Sequence, residues 1–352
     1  MGKDSKKMET NTGLKIINIM SGSENGGAER FFERLVCAIE KKGITQKVVV
    51  RHYKKRYQLL KPIIKNISSL YLFNQFNPFC HLAIEKIIKN FEPNIILTWM
   101  NRASKILPTE RFNNEIIVGR LGGYYNLKNY SNCDYLIANT VGIKNFLIEK
   151  GWPAKKIFVI PNFVNTYKKT KNNINLQNDK TIISMGRFHE NKGFDIVIKA
   201  LSFLPEFKLI LVGSGPLSNF YVKLIKDYNL TKRVEIHNWT DNISKYLNST
   251  SLLVCPSRHE PFGNIIIDGW AHKIPVIASN TGGPSLLIKE GVNGLKFENE
   301  NVFDLVKKIK KLEKDKKLTD KIIKNAYKDF SSQFSEKVIL EKYISFFKKI
   351  IS

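Results

Sequence analysis

Residues 14–43 read LKIINIMSGSENGGAERFFERLVCAIEKKG, and the fold turns on how this stretch divides. LKIINIM is short and apolar, as a strand covered on both faces must be. SGSENGG is a glycine turn, and AERFFERLVCAIEKKG sets Phe31, Leu35 and Ile39 at helical spacing before stopping at Gly43. Strand, glycine turn and helix are the first half of a βαβ unit.

The unit recurs. Lys47–Val50, Asn94–Thr98, Glu115–Val118 and Tyr135–Ala138 read as further strands, with helical or looping segments between them. The stretch NTYKKTKNNINLQNDK then carries almost no apolar residue and reads as a linker. Beyond it the alternation resumes with Thr181–Ser184, Lys208–Val212, Val234–His237, Ser251–Val254 and Pro275–Ala278, and from about Val302 the period is helical. Short apolar strands alternating with helices predict α/β domains with parallel sheets. The expected organisation is a polar, disordered lead at 1–13 and a first Rossmann-like domain at 14–165. A linker follows at 166–180 and a second Rossmann-like domain at 181–332, and a helix at 333–352 returns to cover the first domain. Ligands of open parallel sheets bind at the carboxyl ends of the strands, so two such sheets facing each other define one cleft.

Composition agrees with two cores: 352 residues, 43% hydrophobic and 25% charged, exceed one ordinary core. No apolar run approaches the roughly 20 residues that span a bilayer, and the start lacks the apolar segment of a secretory signal. The expected location is the cytosol. Cys37, Cys80, Cys133 and Cys255 lie far apart without a Cys-x-x-Cys pair, which argues against a zinc site or a disulfide framework. The net charge is +26, yet of 57 basic residues only ten are arginine, in a chain also crowded with Ile and Asn, as an AT-rich coding bias would produce. The alternative is a surface that attracts anions. From Lys41 to Phe73, nine basic residues are interleaved with Tyr53, Tyr57, Leu59, Leu60, Ile63, Ile64, Leu70, Tyr71 and Phe73. Such a segment suits the anionic inner face of a cytoplasmic membrane, and equally a solvated helix with a core-facing stripe.

The residues past the strand ends carry the chemistry. Strand 181–184 leads into MGRFHENKGFD, which places Arg187 and Lys192 in a turn where a fork and a point charge together clamp a diphosphate. Gly213 opens a second glycine turn, for which tight geometry alone is a sufficient reason. Gly26 and Gly27 precede a helix, so their N–H groups approach an anion at the helix's positive end. The spacing is not that of a dinucleotide fingerprint, and no acidic residue closes the next strand, which disfavours a dehydrogenase. In HEPFGNIIIDGWA (259–271), Glu260 falls in a loop and Asp268 about one turn inside a helix, with the N–H groups of Gly263, Asn264 and Ile265 between them. Acceptors at both ends and donors in the middle suit a nucleoside diphosphate sugar.

GGAER, GRFHENKG, LVGSGPL, CPSRHEPFGNIIIDGWA, IPVIASNTGGPSLLI and GVNGLKF, in this order, resemble the retaining GT-B glycosyltransferases of family 4. The resemblance covers nearly the whole chain and is strongest from about 180 to 300. It implies two facing Rossmann-like domains and transfer of a hexosyl or related group from a nucleotide sugar, UDP- or GDP-linked, without a metal or other cofactor. No Asp-x-Asp occurs. In the family's Glu-x7-Glu motif the first carboxylate, here Glu260, approaches the donor sugar, and the second, here Asp268 rather than Glu, binds the ribose. Phe262, Gly263, Asn264 and Ile265 would meet sugar and phosphate, and Arg187 and Lys192 would stabilise the departing diphosphate. Gly26 and Gly27 would close on the donor phosphate, and the base would sit near His237, Asn238 and Trp239, with Gly213 beside it. The leaving phosphate would take the acceptor's proton. Many members place a histidine after a first-domain strand, whereas this chain has Gly122 and Gly123; Asn101, Arg120, Gly122 and Tyr124 are candidates for the acceptor side.

The acceptor expected from this resemblance and the basic segment is a cell-envelope glycan or a lipid-linked sugar of the lipopolysaccharide type. Two other readings stand beside it. A nucleotide-sugar epimerase of similar shape would want proton-transfer groups, which the Arg187, Lys192 and Glu260 pattern fits less well. A nucleic-acid binder is prompted by charge alone, without a binding module or a single short basic cluster.

Overall fold

The structure, a computed structural model, describes residues 13–23, 26–52, 54–71, 78–108, 111, 114–164, 176–240 and 242–352. The expected lead at 1–12, the linker at 166–175, and Tyr53 and Phe73 of the basic segment lie outside these residues. The chain divides into two compact units, one of Met1–Asn162 with Lys337–Ser352 and one of Phe163–Glu336.

In the first unit the elements run β1 (Lys15–Met20), α1 (Gly27–Lys41), β2 (Thr45–Arg51), α2 (Lys54–Leu60), β3 (Ile67–Leu70) and α3 (Pro78–Phe91). They continue with β4 (Ile95–Trp99), α4 (Met100–Lys105), β5 (Ile116–Leu121), β6 (Tyr135–Ala138), α5 (Val141–Glu149) and β7 (Ile157–Val159). The seven strands among the described residues are parallel, in the order β3-β2-β1-β4-β5-β6-β7. The chain reverses its direction of travel across the sheet between β1 and β4. There β1 and β4 are buried along nearly their whole length, and Ile17, Ile19 and Ile96 pack with Ile84 and Ile88 of α3.

In the second unit the order is β8 (Thr181–Met185), α6 (Phe194–Ser202), β9 (Lys208–Val212), α7 (Ser218–Asp227), β10 (Val234–His237), α8 (Ser244–Leu247) and β11 (Leu252–Cys255). Then come α9 (Asn264–Ala271), β12 (Val276–Ser279), α10 (Gly282–Leu287), β13 (Leu295–Phe297), α11 (Val302–Lys314) and α12 (Lys316–Asp329). The six strands, again parallel, lie β10-β9-β8-β11-β12-β13, with the reversal between β8 and β11. Successive strand residues face opposite sides. Leu252 and Val254 therefore join the core under α6, α7 and α11, while Leu253 and Cys255 join the core under α9. Both faces of β11 are covered, which is why it reads as an unbroken apolar run. Of the expected linker, Leu176 is buried in the first of these cores, so that end of it belongs to the packed unit.

The last helix, α13 (Glu336–Ile351), groups with the first unit. It buries Ile339, Leu340, Tyr343, Phe346 and Phe347, with the Phe346 ring 4.5 Å from that of Phe158 on β7. Each side chain of this kind contributes about 1.5–3 kcal/mol when fully buried.

Three strands, β3, β7 and β13, go beyond those read from sequence. The basic segment is likewise not one helix: it holds β2, α2 and β3, with Leu60 and Ile64 buried and Leu59 and Ile63 exposed.

Candidate active site

The reversal points of both sheets are where the motif residues collect. In the second unit β8 and β11 are neighbours whose chains leave in opposite directions across the sheet. Past β8 the chain carries exposed Arg187 and then a single 3-10 turn, Glu190–Lys192, capped by the His189 ring, which accepts from the Asn191 N–H at 3.2 Å. Past β11 it carries Glu260. The two loops meet: the Lys192 ammonium contacts the Glu260 carboxylate. Burial pushes the Lys192 pKa down, but the charge of Glu260 and the hydrogen bond to it outweigh that, holding the ammonium above its ordinary value. Arg187 opposes this, which places its charge within reach of the same point.

The other oxygen of Glu260 accepts the Gly263 N–H at 3.2 Å. Gly263 caps α9 with φ 100°, a left-handed conformation that side chains resist, and so turns the first N–H groups of α9 toward the loop. Phe262 beside it is buried against the α9 core. Asn264 and Ile265 form the first turn of α9. Asp268 is its fifth residue and is buried, its carbonyl accepting from His272 both at the backbone (3.1 Å) and at Nδ1 (2.7 Å). Behind the site, burial pushes the Cys255 thiol up to about 11, so it behaves as a small apolar side chain.

Asn238 and Trp239 follow β10 directly, next to the turn after β9. Gly213 does not offer its N–H to a ligand: the His237 carbonyl accepts it at 2.8 Å, and a side chain at 213 would overlap the Gly186 carbonyl. Gly213 therefore serves close backbone packing between the turns after β8 and β9.

In the first unit Gly26 caps α1 and Gly27 opens it, at the carboxyl end of β1. Glu29, unremarked in the sequence apart from its motif, is buried here, accepting from the Ser23 N–H (3.0 Å) and hydroxyl (2.9 Å). An acid in the first turn of a helix is favoured by the helix's positive end. Asn101 lies just past β4, its carbonyl oxygen accepting from Tyr130 at 2.9 Å. Gly122 follows β5 beside Ala28, and Tyr124 is exposed with its ring edge-on to Phe146.

Arg120 departs from the acceptor-side expectation. It is 1% exposed, with its guanidinium carbon 4.6 Å and 4.8 Å from the centres of the Phe31 and Trp99 rings. Its Nε donates to the Tyr343 hydroxyl of α13 at 3.0 Å and its Nη2 to Asn162. The reason is positional: Arg120 is still inside β5, so its side chain points to a covered face of the sheet, not to the strand ends.

No group of three His, Cys, Asp or Glu side chains among the described residues is arranged to hold a metal ion.

Comparison with known proteins agrees with this geometry. The model of glycosyltransferase family 4 matches residues 25–168, and that of glycosyl transferases group 1 matches residues 166–329. The lipopolysaccharide core biosynthesis glycosyltransferases LpsE and LpsD of Rhizobium meliloti are each 28% identical to this chain, over 94% and 96% of it and 98% of their own lengths. The crystal structure of Anabaena HepE in complex with UDP and glucose is 20% identical, covers 96% of this chain and 100% of its own, and superposes with a TM-score of 0.81. With a parallel sheet in each of two units, motif residues at both reversal points and the two family models end to end across them, the chain belongs to the family 4 glycosyltransferases of the GT-B fold.

Proposed function

We propose that this glycosyltransferase moves a hexosyl or related sugar, with retention of configuration and without a metal ion, from a nucleoside diphosphate sugar to an envelope glycan or lipid-linked acceptor. The observation that carries the reading is the Lys192–Glu260 contact at the reversal between β8 and β11, with Arg187 alongside and the amino end of α9 next to it. A donor parts this pair. Its diphosphate takes Lys192 and Arg187, and its sugar hydroxyls take Glu260. Asp268 binds the ribose, with the base near Asn238 and Trp239. The anomeric carbon–phosphate oxygen bond breaks as the acceptor oxygen bonds to the same face, and the acceptor's proton passes to the leaving phosphate. Lys192 and Arg187 act where negative charge develops, which is the place where fixed charge lowers a barrier most. Names of relatives support the acceptor class: LpsE and LpsD are named for lipopolysaccharide core biosynthesis. HepE, crystallised with UDP and glucose, supports a uridine diphosphate donor.

The test is a panel of UDP- and GDP-sugars, read first as thermal stabilisation and then as nucleotide release. Arg187→Ala and Lys192→Ala are each expected to slow turnover of the stabilising donor by about two orders of magnitude, the worth of roughly 3 kcal/mol of fixed charge. Near wild-type rates in both would remove the leaving-group assignment.

The membrane reading of the basic segment, where Leu59 and Ile63 are exposed, extends to the neighbouring α3. On α3 the outward stripe is Phe79, Leu82 and Lys86, with Phe79 77% exposed, while Tyr71 at the end of β3 accepts from the Cys80 thiol and is exposed too. Apolar side chains beside lysines suit an anionic bilayer surface. No helix among the described residues is long and apolar enough to cross a membrane. Sedimentation with anionic and neutral vesicles decides it: binding only to the anionic set, weakened by Leu82→Ser, is expected, and equal recovery with both removes the charge argument.

A further inference from the structure

The geometry points to Arg258 as a positioning residue that, through Asp195, sets the spacing of Lys192 and Glu260; this rests on the proposed donor-binding role of that pair. The loops after β8 and β11 run side by side in register. Arg258 Nη1 donates to the Glu190 carbonyl at 3.0 Å, the His259 N–H to the Asn191 carbonyl at 3.2 Å, and the Lys192 ammonium to the Glu260 carboxylate. Residues 258, 259 and 260 thus meet 190, 191 and 192 one for one.

A fork locks that register. Nη1 and Nη2 of Arg258 donate to the two oxygens of Asp195 at 2.9 and 2.7 Å, and Asp195 is buried in the first turn of α6, three residues beyond Lys192. Hydrogen bonding to Asp195 holds the Arg258 pKa well above the usual arginine range. Bidentate pairing fixes direction as well as distance, which a lysine cannot do. Beneath the fork, Gly193 is left-handed (φ 61°), and the Pro256 carbonyl fills the space a side chain would need. From the far side the Thr281 hydroxyl reaches the Arg258 carbonyl at 3.2 Å and the Gly283 N–H the Glu260 carbonyl at 2.7 Å. The two backbones are therefore fixed while the Lys192 and Glu260 side chains remain able to part. A donor has to separate them and lie between phosphate-binding and sugar-binding ends, so the width of that gap is set by the fork. Arg258 acts on the rate through geometry, and nucleotide affinity is not its readout.

Arg258→Gln is expected to lower kcat for the best donor among UDP-glucose, UDP-galactose, UDP-N-acetylglucosamine and GDP-mannose by about 30- to 100-fold, as ångström-scale misplacement does. UDP and GDP affinity by calorimetry should change by no more than about fivefold, the worth of the Lys192–Glu260 contact itself. In a Lys192→Ala background the substitution should add almost nothing, because both act on one step. Arg258→Lys should fall near Arg258→Gln, and Glu300→Gln, which alters only the exposed partner 3.3 Å from Nε, should match wild type. A kcat within threefold of wild type, or a loss additive with Lys192→Ala, overturns the proposal. If Arg258→Gln fails to fold, Arg258→Lys carries the same comparison. Should wild type turn over no donor, glycosyl transfer from these sugars is refuted instead. A crystal structure of Arg258→Gln then decides the spacing role, and an undisturbed Lys192–Glu260 contact overturns it.

Discussion

Replacing Glu260 by Gln should tighten binding of free nucleotide diphosphate while slowing transfer. In the ligand-free protein Glu260 competes with the donor phosphate for Lys192, and the two side chains are 12% and 28% exposed. Two unit charges about 4 Å apart attract by roughly 4 kcal/mol at an effective dielectric near 20. Desolvation and remaining solvent screening reduce the net to about 1 kcal/mol, which is about fivefold in affinity. The sugar's hydroxyls meanwhile lose a charged acceptor worth about 1.5–3 kcal/mol, or about 10- to 150-fold in kcat.

The pH dependence separates this from simple damage. With its folded-state pKa raised, Lys192 lends stability that is whole below the ordinary value of 10.5 and is lost as pH rises through the folded value. Without Glu260, burial and Arg187 push that pKa down, so Lys192 titrates below 10.5. Calorimetry with UDP and GDP across pH 7 to 11 should therefore show tighter binding than wild type near neutrality and an earlier decline. Weaker binding of both nucleotides at pH 7.5 would refute the competition between carboxylate and phosphate.

Three further outcomes follow from single positions. Asp268→Asn should weaken nucleotide binding more than it slows turnover of bound donor; unchanged affinity by calorimetry counts against the ribose contact. Gly193→Ala places a side chain on the Pro256 carbonyl in a left-handed conformation and should cost about 1–3 kcal/mol in denaturant melts, so an unshifted midpoint contradicts the close approach. Arg120→Met keeps the stacking between Phe31 and Trp99 but removes the hydrogen bonds to Tyr343 and Asn162. It should destabilise by about 1–3 kcal/mol and speed amide exchange in α13. Wild-type protection of residues 336–351 would show that other contacts hold that helix.

What the sequence revealed and what it hid divide along physical lines. Most of the ten legible strands were so because a parallel strand covered on both faces is a largely apolar run, as LLVC is; VEIH, partly exposed at a sheet edge, is an exception. The three that were not legible, ISSL, IFV and LKF, lie at sheet edges and are only three or four residues long, two of them with polar residues inside. Side-chain direction at the strand ends was hidden for a different reason. Arg120 and Gly213 sit only one residue either side of where pairing stops. Inside the ladder a side chain faces a covering helix, and the Gly213 N–H, one residue past β9, is still taken by the His237 carbonyl of the neighbouring strand. A boundary error of one or two residues therefore exchanges a packing role for a binding role. Lys192 and Glu260 escaped this ambiguity because each lies five or more residues past its strand, beyond any plausible slip. Their contact across 68 positions was not legible, since it is made by the adjacency of β8 and β11, a property of the whole sheet. The same adjacency puts Arg258 opposite Asp195. A residue with no assigned chemistry in its motif thereby becomes the one that fixes the spacing of two residues that have it, and only its partner, 63 positions away, discloses this.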